Sequence, residues 1–250
     1  MIEFLKFIVI MGTQFMSMKN SLFIFFDIYG TLAGFYPERE KIQTKILTKY
    51  NITLTENQIT EGYKDADEFM TYQKKIKPLR LMNKKEIKDF FSNYEMKILE
   101  KNGIFINKEK AWKIWEEISN EKYELKIFSD VYDNLDYLKQ KNFFCAGITN
   151  MDFPGESLIE NLKLKNHLKF IITSYDSNSE KPDSKIFEYC LKKAGAKITN
   201  SYLVGDQIES DIKGAENFGI TPILIDRFGY YKDFNESLKI SNLDGLKKIF

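Results

Sequence analysis

Hydrophobic and polar positions divide the chain into stretches of different period. Leu22 to Phe26, Leu-Phe-Ile-Phe-Phe, is an unbroken apolar run of the kind that fills a strand buried on both faces. Asp27 stands where that strand ends, Gly30 allows the chain to turn, and Thr31 returns a hydroxyl beside the strand end. The pattern then changes to helical spacing. Ile42, Ile46, Leu47 and Tyr50 form one stripe over Glu38–Tyr50. A second helix starts at a Thr55 cap, carries Ile59, Tyr63, Phe69, Met70 and Tyr72, and ends at Pro78. Lys84–Asn102, stopped by Gly103, and Asn107–Ser119, with Trp112, Trp115 and Ile118, give two more.

Residues 36–123 therefore read as helix throughout, and strands return only after Ser129. Val131–Lys141 reads as a helix, Phe143–Ile148 as a strand ending at Thr149 and Asn150, and Leu158–Leu164 as a helix. Phe170–Ile172, Tyr202–Gly205 and Thr221–Ile225 read as strands. Helices are expected at Ser184–Ala194, Ile212–Phe218 and Leu243–Phe250. This contrast predicts an α/β core of residues 21–35 and 124–250 interrupted by a helical domain of residues 36–123. Residues 1–20 are expected to be an N-terminal extension. Lys6 and the shortness of the apolar run Met1–Ile10 argue against a spanning helix, no small-x-small cleavage site follows it, and Met11, Met16 and Met18 are alternative starts.

Composition narrows the function only a little. The 250 residues are long enough for one α/β domain with an insertion, and 43% apolar with 29% charged residues is ordinary for a soluble globular chain. A net charge of +1 gives no electrostatic reason to expect nucleic acid or an anionic membrane as partner. The two cysteines, Cys145 and Cys190, lie far apart in apolar or helical surroundings, which favours reduced thiols and a cytoplasmic protein. The single histidine, His167, has no catalytic context, so Cys145 is not read as a nucleophile.

Chemistry concentrates where strands end. Asp27, then Thr149 with Asn150, then Lys181, then Asp206 with Asp211 each follow a strand, and in a parallel sheet these ends converge on one edge. An ionised carboxylate such as Asp27 can attack phosphorus or carbon and form a covalent intermediate. Thr149 and Asn150 offer hydroxyl and amide donors, and Lys181 offers an ammonium to offset charge.

Taken together these residues resemble the four motifs of the haloacid dehalogenase-like (HAD) hydrolases. Asp27-Ile28-Tyr29-Gly30-Thr31 is similar to the family's Asp-x-Asp-x-Thr, Lys-Pro-Asp-Ser-Lys-Ile-Phe to its Lys-Pro-x-x-x-Ile-Phe, and Gly205–Asp211 to Gly-Asp-x-x-x-x-Asp. The resemblance implies a Rossmann-like parallel sheet with helices on both faces and an inserted α-helical cap that closes over the site. It implies a Mg²⁺-dependent phosphatase of a small phosphorylated metabolite, working through an aspartyl-phosphate. Asp27 would then be nucleophile and metal ligand, with Asp206 and the backbone carbonyl of Tyr29 as further ligands and Asp211 in the outer shell. Lys181 would be catalytic and, with Thr149 and Asn150, would bind the phosphoryl group. Tyr29 departs from the family pattern: it replaces the second Asp, the family's general acid/base. A tyrosine there resembles the metal-free 2-haloacid dehalogenases, although Asp206 stands where those enzymes carry a neutral residue, and neither Arg39 nor Arg80 has the context of their substrate-binding arginine. A HAD-fold binding protein with weak catalysis is the third expectation. Substrate identity and oligomeric state are not encoded in these motifs.

Overall fold

The structure, a computed structural model, describes residues 22–250, so the expectations for the N-terminal extension lie outside the described residues. By contacts the chain divides into two compact units, one of residues up to 33 with 127–250 and the other of residues 34–126.

The first unit is built on strand β1 (Phe23–Phe26), whose four residues are all buried. Two short strands, β2 (Ala33–Tyr36) and β3 (Glu124–Ile127), pair with each other and carry the chain out of this unit and back. After β3 follow β4 (Phe144–Thr149), β5 (Ile171–Thr173), β6 (Ser201–Gly205), β7 (Thr221–Ile225) and β8 (Leu238–Ile240). The six-stranded sheet runs β5-β4-β1-β6-β7-β8 and its paired strands are parallel. β1 is thus central, with both faces covered, which is why it tolerates no polar residue until Asp27. Phe23 and Phe25 pack with Ile148, Ile186, Phe187, Leu203 and Ala215 in one buried cluster. Register fixes the strand ends: Phe26 lies opposite Val204 of β6 and Gly147 of β4.

The second unit is a helical bundle of α1 (Arg39–Lys49), α2 (Glu56–Ile76), α3 (Lys84–Glu100) and α4 (Lys108–Asn120). Thr55 with Gln58 and Asn83 with Glu86 form capping boxes at the starts of α2 and α3, satisfying orphan N–H groups reciprocally. The core here is Ile46, Leu47, Ile59, Tyr63, Ile98, Leu99 and Ile114, with Trp115 stacked on Phe91 at 3.9 Å. No helix among the described residues is long and apolar enough to cross a membrane.

Four expectations are corrected. β2 and β3 lie at the edges of the stretch read as free of strands, because each is only four residues long and finds its partner across the whole insertion. β8 was not foreseen, its three residues being too few to show a period. The closing helix is a 3₁₀ segment over Leu243–Lys248. The helix expected from Ile212 is preceded by a wide π-type turn, Ile208–Ile212, and its regular part, α9 (Lys213–Phe218), is short. The other helices of the first unit are α5 (Val131–Gln140), α6 (Gly155–Asn161), α7 (Ser174–Ser177) and α8 (Ser184–Ala194).

One buried acid stands out in the bundle. Glu95 is 1% exposed; its Oε1 accepts from Gln43 Nε2 at 2.6 Å, the Tyr63 hydroxyl closes the chain onto Gln43 Oε1 at 3.0 Å, and Glu95 Oε2 has no partner among the described residues. Burial pushes this carboxyl up to about 8 against the opposing Gln43 hydrogen bond. Between the ordinary carboxyl range and pH 8 the folded chain keeps a proton that the unfolded chain has lost. Stability from this group is therefore full below the ordinary range and is lost as pH rises through 8. Glu95→Gln is expected to raise the urea midpoint at pH 9 and to leave it nearly unchanged at pH 5, the difference being on the order of a few kcal/mol.

Candidate active site

The pairing of β1 with β6 continues one step past the strand, since Asp27 N–H donates to Val204 O at 2.9 Å. Asp27 is thereby carried to the carboxyl edge of the sheet beside β6, where Asp206 follows Gly205. The chain then closes a tight turn: Leu32 N–H and Ala33 N–H both donate to Ile28 O, and Gly30 N–H to Ala33 O. Gly30 sits at φ +83°, and a Cβ built on it would lie 2.2 Å from Asp206 Oδ2. Two separate reasons, backbone conformation and close approach, therefore require glycine there.

Asp211 returns to the same edge by way of the π-type turn, a geometry found often at functional sites. Its Oδ2 accepts from Gln207 N–H at 3.0 Å, and a Cβ on Gly205 would meet its Cγ at 2.4 Å, so Gly205 is the space into which Asp211 folds. Lys181 enters between the two acids from the loop before α8. Its Nζ donates to Asp27 Oδ1 and Asp211 Oδ1, both at 2.6 Å, and to Ile148 O at 3.1 Å. The Lys181 side chain is 2% exposed, and those of Asp27 and Asp211 are 9% and 1% exposed.

Asp27, Asp206 and Asp211 each present an oxygen within 4.8 Å of the other two. Three carboxylates and one ammonium leave a formal charge of −2 in a largely desolvated site. Burial raises the Asp27 carboxyl to about 6, with Lys181 opposing and Asp211 adding to the rise. Burial, with the charges of Asp27 and Asp211, drives Asp206 upward as well. Burial alone would depress Lys181, but Asp211 and Asp27 outweigh it and hold the ammonium protonated. The site is short of positive charge, and its donors are hard oxygens; a small divalent cation such as Mg²⁺ fits both facts.

The remaining expected residues take distinct places. Thr149 ends β4, buried, and among the described residues no hydrogen bond engages its hydroxyl. Asn150 turns its amide onto the main chain of Lys181, with Nδ2 donating to Lys181 O at 2.9 Å and Oδ1 accepting from Lys181 N–H at 2.7 Å. Half of its hydrogen-bonding capacity, one donor and one acceptor site, thus positions Lys181. Tyr29 lies partly buried on the turn, bridged to Ala33. Thr31, absent from the expected ligand set, points its hydroxyl at Asp206 Oδ1, 3.4 Å away. Cys145 is buried and its thiol is pushed up to about 12 by that burial, so it is no nucleophile.

Two outcomes test this electrostatic arrangement. In cation-free buffer Lys181→Met is expected to lose about 3–5 kcal/mol of stability at neutral pH, because two buried carboxylates lose their partner. Lowering the pH to 5 should recover part of that loss in a chemical denaturation series. For Asp27 itself, a carboxyl raised to about 6 contributes stability that is full below its ordinary value and falls away through pH 6. Asp27→Asn should remove that portion of the pH dependence.

Comparison with known proteins bears on the family and the fold. A ribulose-1,5-bisphosphate 5-phosphatase of Halopiger xanaduensis is 28% identical over 41% of this chain and 44% of its own length. A glyceraldehyde 3-phosphate phosphatase of Methanothermobacter thermautotrophicus is 33% identical over 40% of this chain and 45% of its own. The chain thus spans less than half the length of these curated relatives. Among solved structures, the HAD-hydrolase YfnB of Bacillus subtilis, bound to magnesium, superposes with a TM-score of 0.61 at 17% identity over 92% of this chain and 98% of its own. The 2-haloacid dehalogenase of Pseudomonas syringae gives 0.54 at 21% identity over 92% and 97%. Both likenesses concern the fold alone. The sequence profile of haloacid dehalogenase-like hydrolases matches residues 24–225, most of the chain, and the protein belongs to that family.

Proposed function

We propose that this chain is a Mg²⁺-dependent phosphatase of a small phosphorylated metabolite, acting in the cytoplasm. The observation that carries the reading is the buried Lys181 ammonium shared by Asp27 and Asp211, with Asp206 completing an acidic cluster of net charge −2. A metal-free displacement at a neutral carbon has no use for a third carboxylate; a cation that offsets an anionic phosphoryl group does. The phosphatase names of the partial relatives support the same class.

The chemistry follows from the groups present. Asp27, ionised and oriented by Lys181, attacks phosphorus; the new bond is carboxylate oxygen to phosphorus, and the ester P–O bond breaks, the electron pair leaving with the alcohol oxygen. The Lys181 ammonium gives its three N–H groups to Asp27, Asp211 and Ile148 O and offsets the phosphoryl charge through space, the Thr149 hydroxyl is available to the phosphoryl oxygens, and Asn150 keeps Lys181 in place. The alcohol oxygen takes its proton from solvent; water then attacks phosphorus, the bond to the Asp27 oxygen breaks with its electron pair returning to the carboxylate, and the proton of the water passes to solvent. Asp27, Asp206 and the Tyr29 carbonyl would hold Mg²⁺, with Asp211 behind them. When bound, the cation supplies charge neutralisation at the phosphoryl oxygens. The helical unit, by its place in the chain, is the inserted cap.

Tyr29 supports a second reading, metal-free dehalogenation, in which a departing halide needs no proton. Arg39 weighs against it: this guanidinium pairs with Asp67 at 2.9 Å and lies 4.0 Å over the Tyr63 ring, so it is already engaged within the bundle. A HAD-fold binding protein is the third. One assay separates all three. Phosphate release from p-nitrophenyl phosphate is expected with Mg²⁺, should stop in EDTA, and should vanish in Asp27→Asn. Activity that persists in EDTA, or chloride release from 2-chloropropionate, would reject the phosphatase; ligand binding without turnover would favour the binder. Tyr29→Asp, which restores an acid/base, is expected to accelerate hydrolysis of alkyl phosphates by about 10²–10⁴-fold.

A further inference from the structure

We propose that Arg227 is a positioning residue for the cation site, acting through the Thr31 peptide, an inference that rests on the Mg²⁺ reading above. Arg227 stands two residues past the end of β7. Its Nε and Nη2 both donate to the carbonyl oxygen of Thr31, at 3.0 and 2.8 Å. Its Nη1 donates to Asp130 Oδ2 at 3.0 Å, and the guanidinium lies 4.4 Å over the Phe128 ring. The side chain is 10% exposed.

Every group that holds Arg227 is itself held. Asp130 Oδ2 also accepts from Leu243 N–H at 2.7 Å, and the Asp130 carbonyl accepts from Asn134 Nδ2 at 2.7 Å. Phe128 N–H donates to Leu32 O at 3.0 Å, so the platform beneath the guanidinium is tied to the residue after Thr31. Three connections of the fold therefore meet at one cation: the turn after β1, the segment after β3 and the segment after β8.

What Arg227 grips is the wall of the acidic cluster. The internal hydrogen bonds of the turn use Ile28 O and Ala33 O, whereas Thr31 O looks outward to the guanidinium. The same residue carries the hydroxyl that faces Asp206 Oδ1 at 3.4 Å, and the preceding Gly30 packs its backbone against Asp206 Oδ2. With the carbonyl fixed by two N–H groups, the Thr31 hydroxyl and the Gly30 main chain can meet Asp206 in only one way. Asp206 is in turn one of the three carboxylates that converge.

The effect is one of geometry and not of field. The positive charge of Arg227 is paired with Asp130, so little of it reaches the acids. The planar fork is the needed feature, because it serves one carbonyl and one carboxylate at once; a lysine has a single nitrogen for both. Partners of this outer kind commonly contribute 10–100-fold to metal affinity.

The test is Mg²⁺ binding to the substrate-free protein, by titration calorimetry and by the Mg²⁺-induced rise in melting temperature. Arg227→Met is expected to bind Mg²⁺ about 10–100-fold more weakly, and Arg227→Lys, which keeps the charge and loses the fork, should show most of that loss. Asp130→Asn, which loosens the anchor, should fall between Arg227→Lys and wild type, and it carries the test should Arg227→Met fail to fold. Thr31→Val should also weaken Mg²⁺, and its combination with Arg227→Lys should cost no more than the larger single loss, since both act on one path. Folded Arg227 variants that bind Mg²⁺ within twofold of wild type overturn the proposal, as do losses that multiply in the double variant. In either case wild-type Mg²⁺ binding leaves the phosphatase reading standing; a wild type that takes up no Mg²⁺ overturns both.

Discussion

A buried ammonium caught between two carboxylates is the constraint from which the rest of this site follows. Lys181 meets Asp27 and Asp211 at the same short distance, 2.6 Å, and neither acid could remain in so dry a place without it. Yet one ammonium cannot neutralise the three carboxylates gathered there. Burial, before charge, lifts Asp27 and Asp206, with Asp211 adding to both, while Lys181 rises against its own burial because Asp211 and Asp27 outweigh it. A site that raises its own carboxyls is one that gains most when a cation arrives. Cation affinity and folding stability are thus opposed without a cation and allied with one.

That opposition explains why so much of the surrounding structure is spent on holding things still. Gly30 and Gly205 remove the two Cβ atoms that would displace Asp206 and Asp211. Asn150 clasps both main-chain groups of Lys181. Gln207 gives its N–H to Asp211. None of these touches a reacting atom in the mechanism set out above; each fixes a charged group against the repulsion of its neighbours.

Much of this arrangement is legible in the sequence, for a definite reason. Parallel strands place their carboxyl ends on one edge, so an apolar run followed by Asp, Thr-Asn or Gly-Asp reports both a strand and a site position. The spacing also separates the helical insertion, since the stripes Ile42–Tyr50 and Ile59–Tyr72 have a helical period. What is not legible depends on partners far away in the chain. The role of Asn150 depends on whether its amide faces a ligand or the backbone of Lys181, which no spacing reveals. Glu95 looks like any acid on a Lys-rich helix until Gln43 and Tyr63 enclose it. Arg227 bonds to a main-chain carbonyl 196 residues away, and a carbonyl leaves no mark in a sequence.

The substitution at Tyr29 can be weighed against the same geometry. A side-chain carboxylate two residues after Asp27 would have added a fourth negative charge near a cluster already at −2. Tyrosine keeps the peptide carbonyl that the proposed Mg²⁺ site would use and removes that repulsion, at the expense of a proton shuttle. In the proposed reading Gly30, Thr31, Thr149, Asn150, Lys181, Asp206 and Asp211, all present, are the parts that organise charge, while the residue that Tyr29 replaces is the part that would move protons. The one departure is thus a group whose absence relieves repulsion, while the charged members of the cluster are all present. That pattern suits a reaction whose leaving group needs little help in departing, with Lys181 and, in the proposed reading, the cation bearing the developing charge.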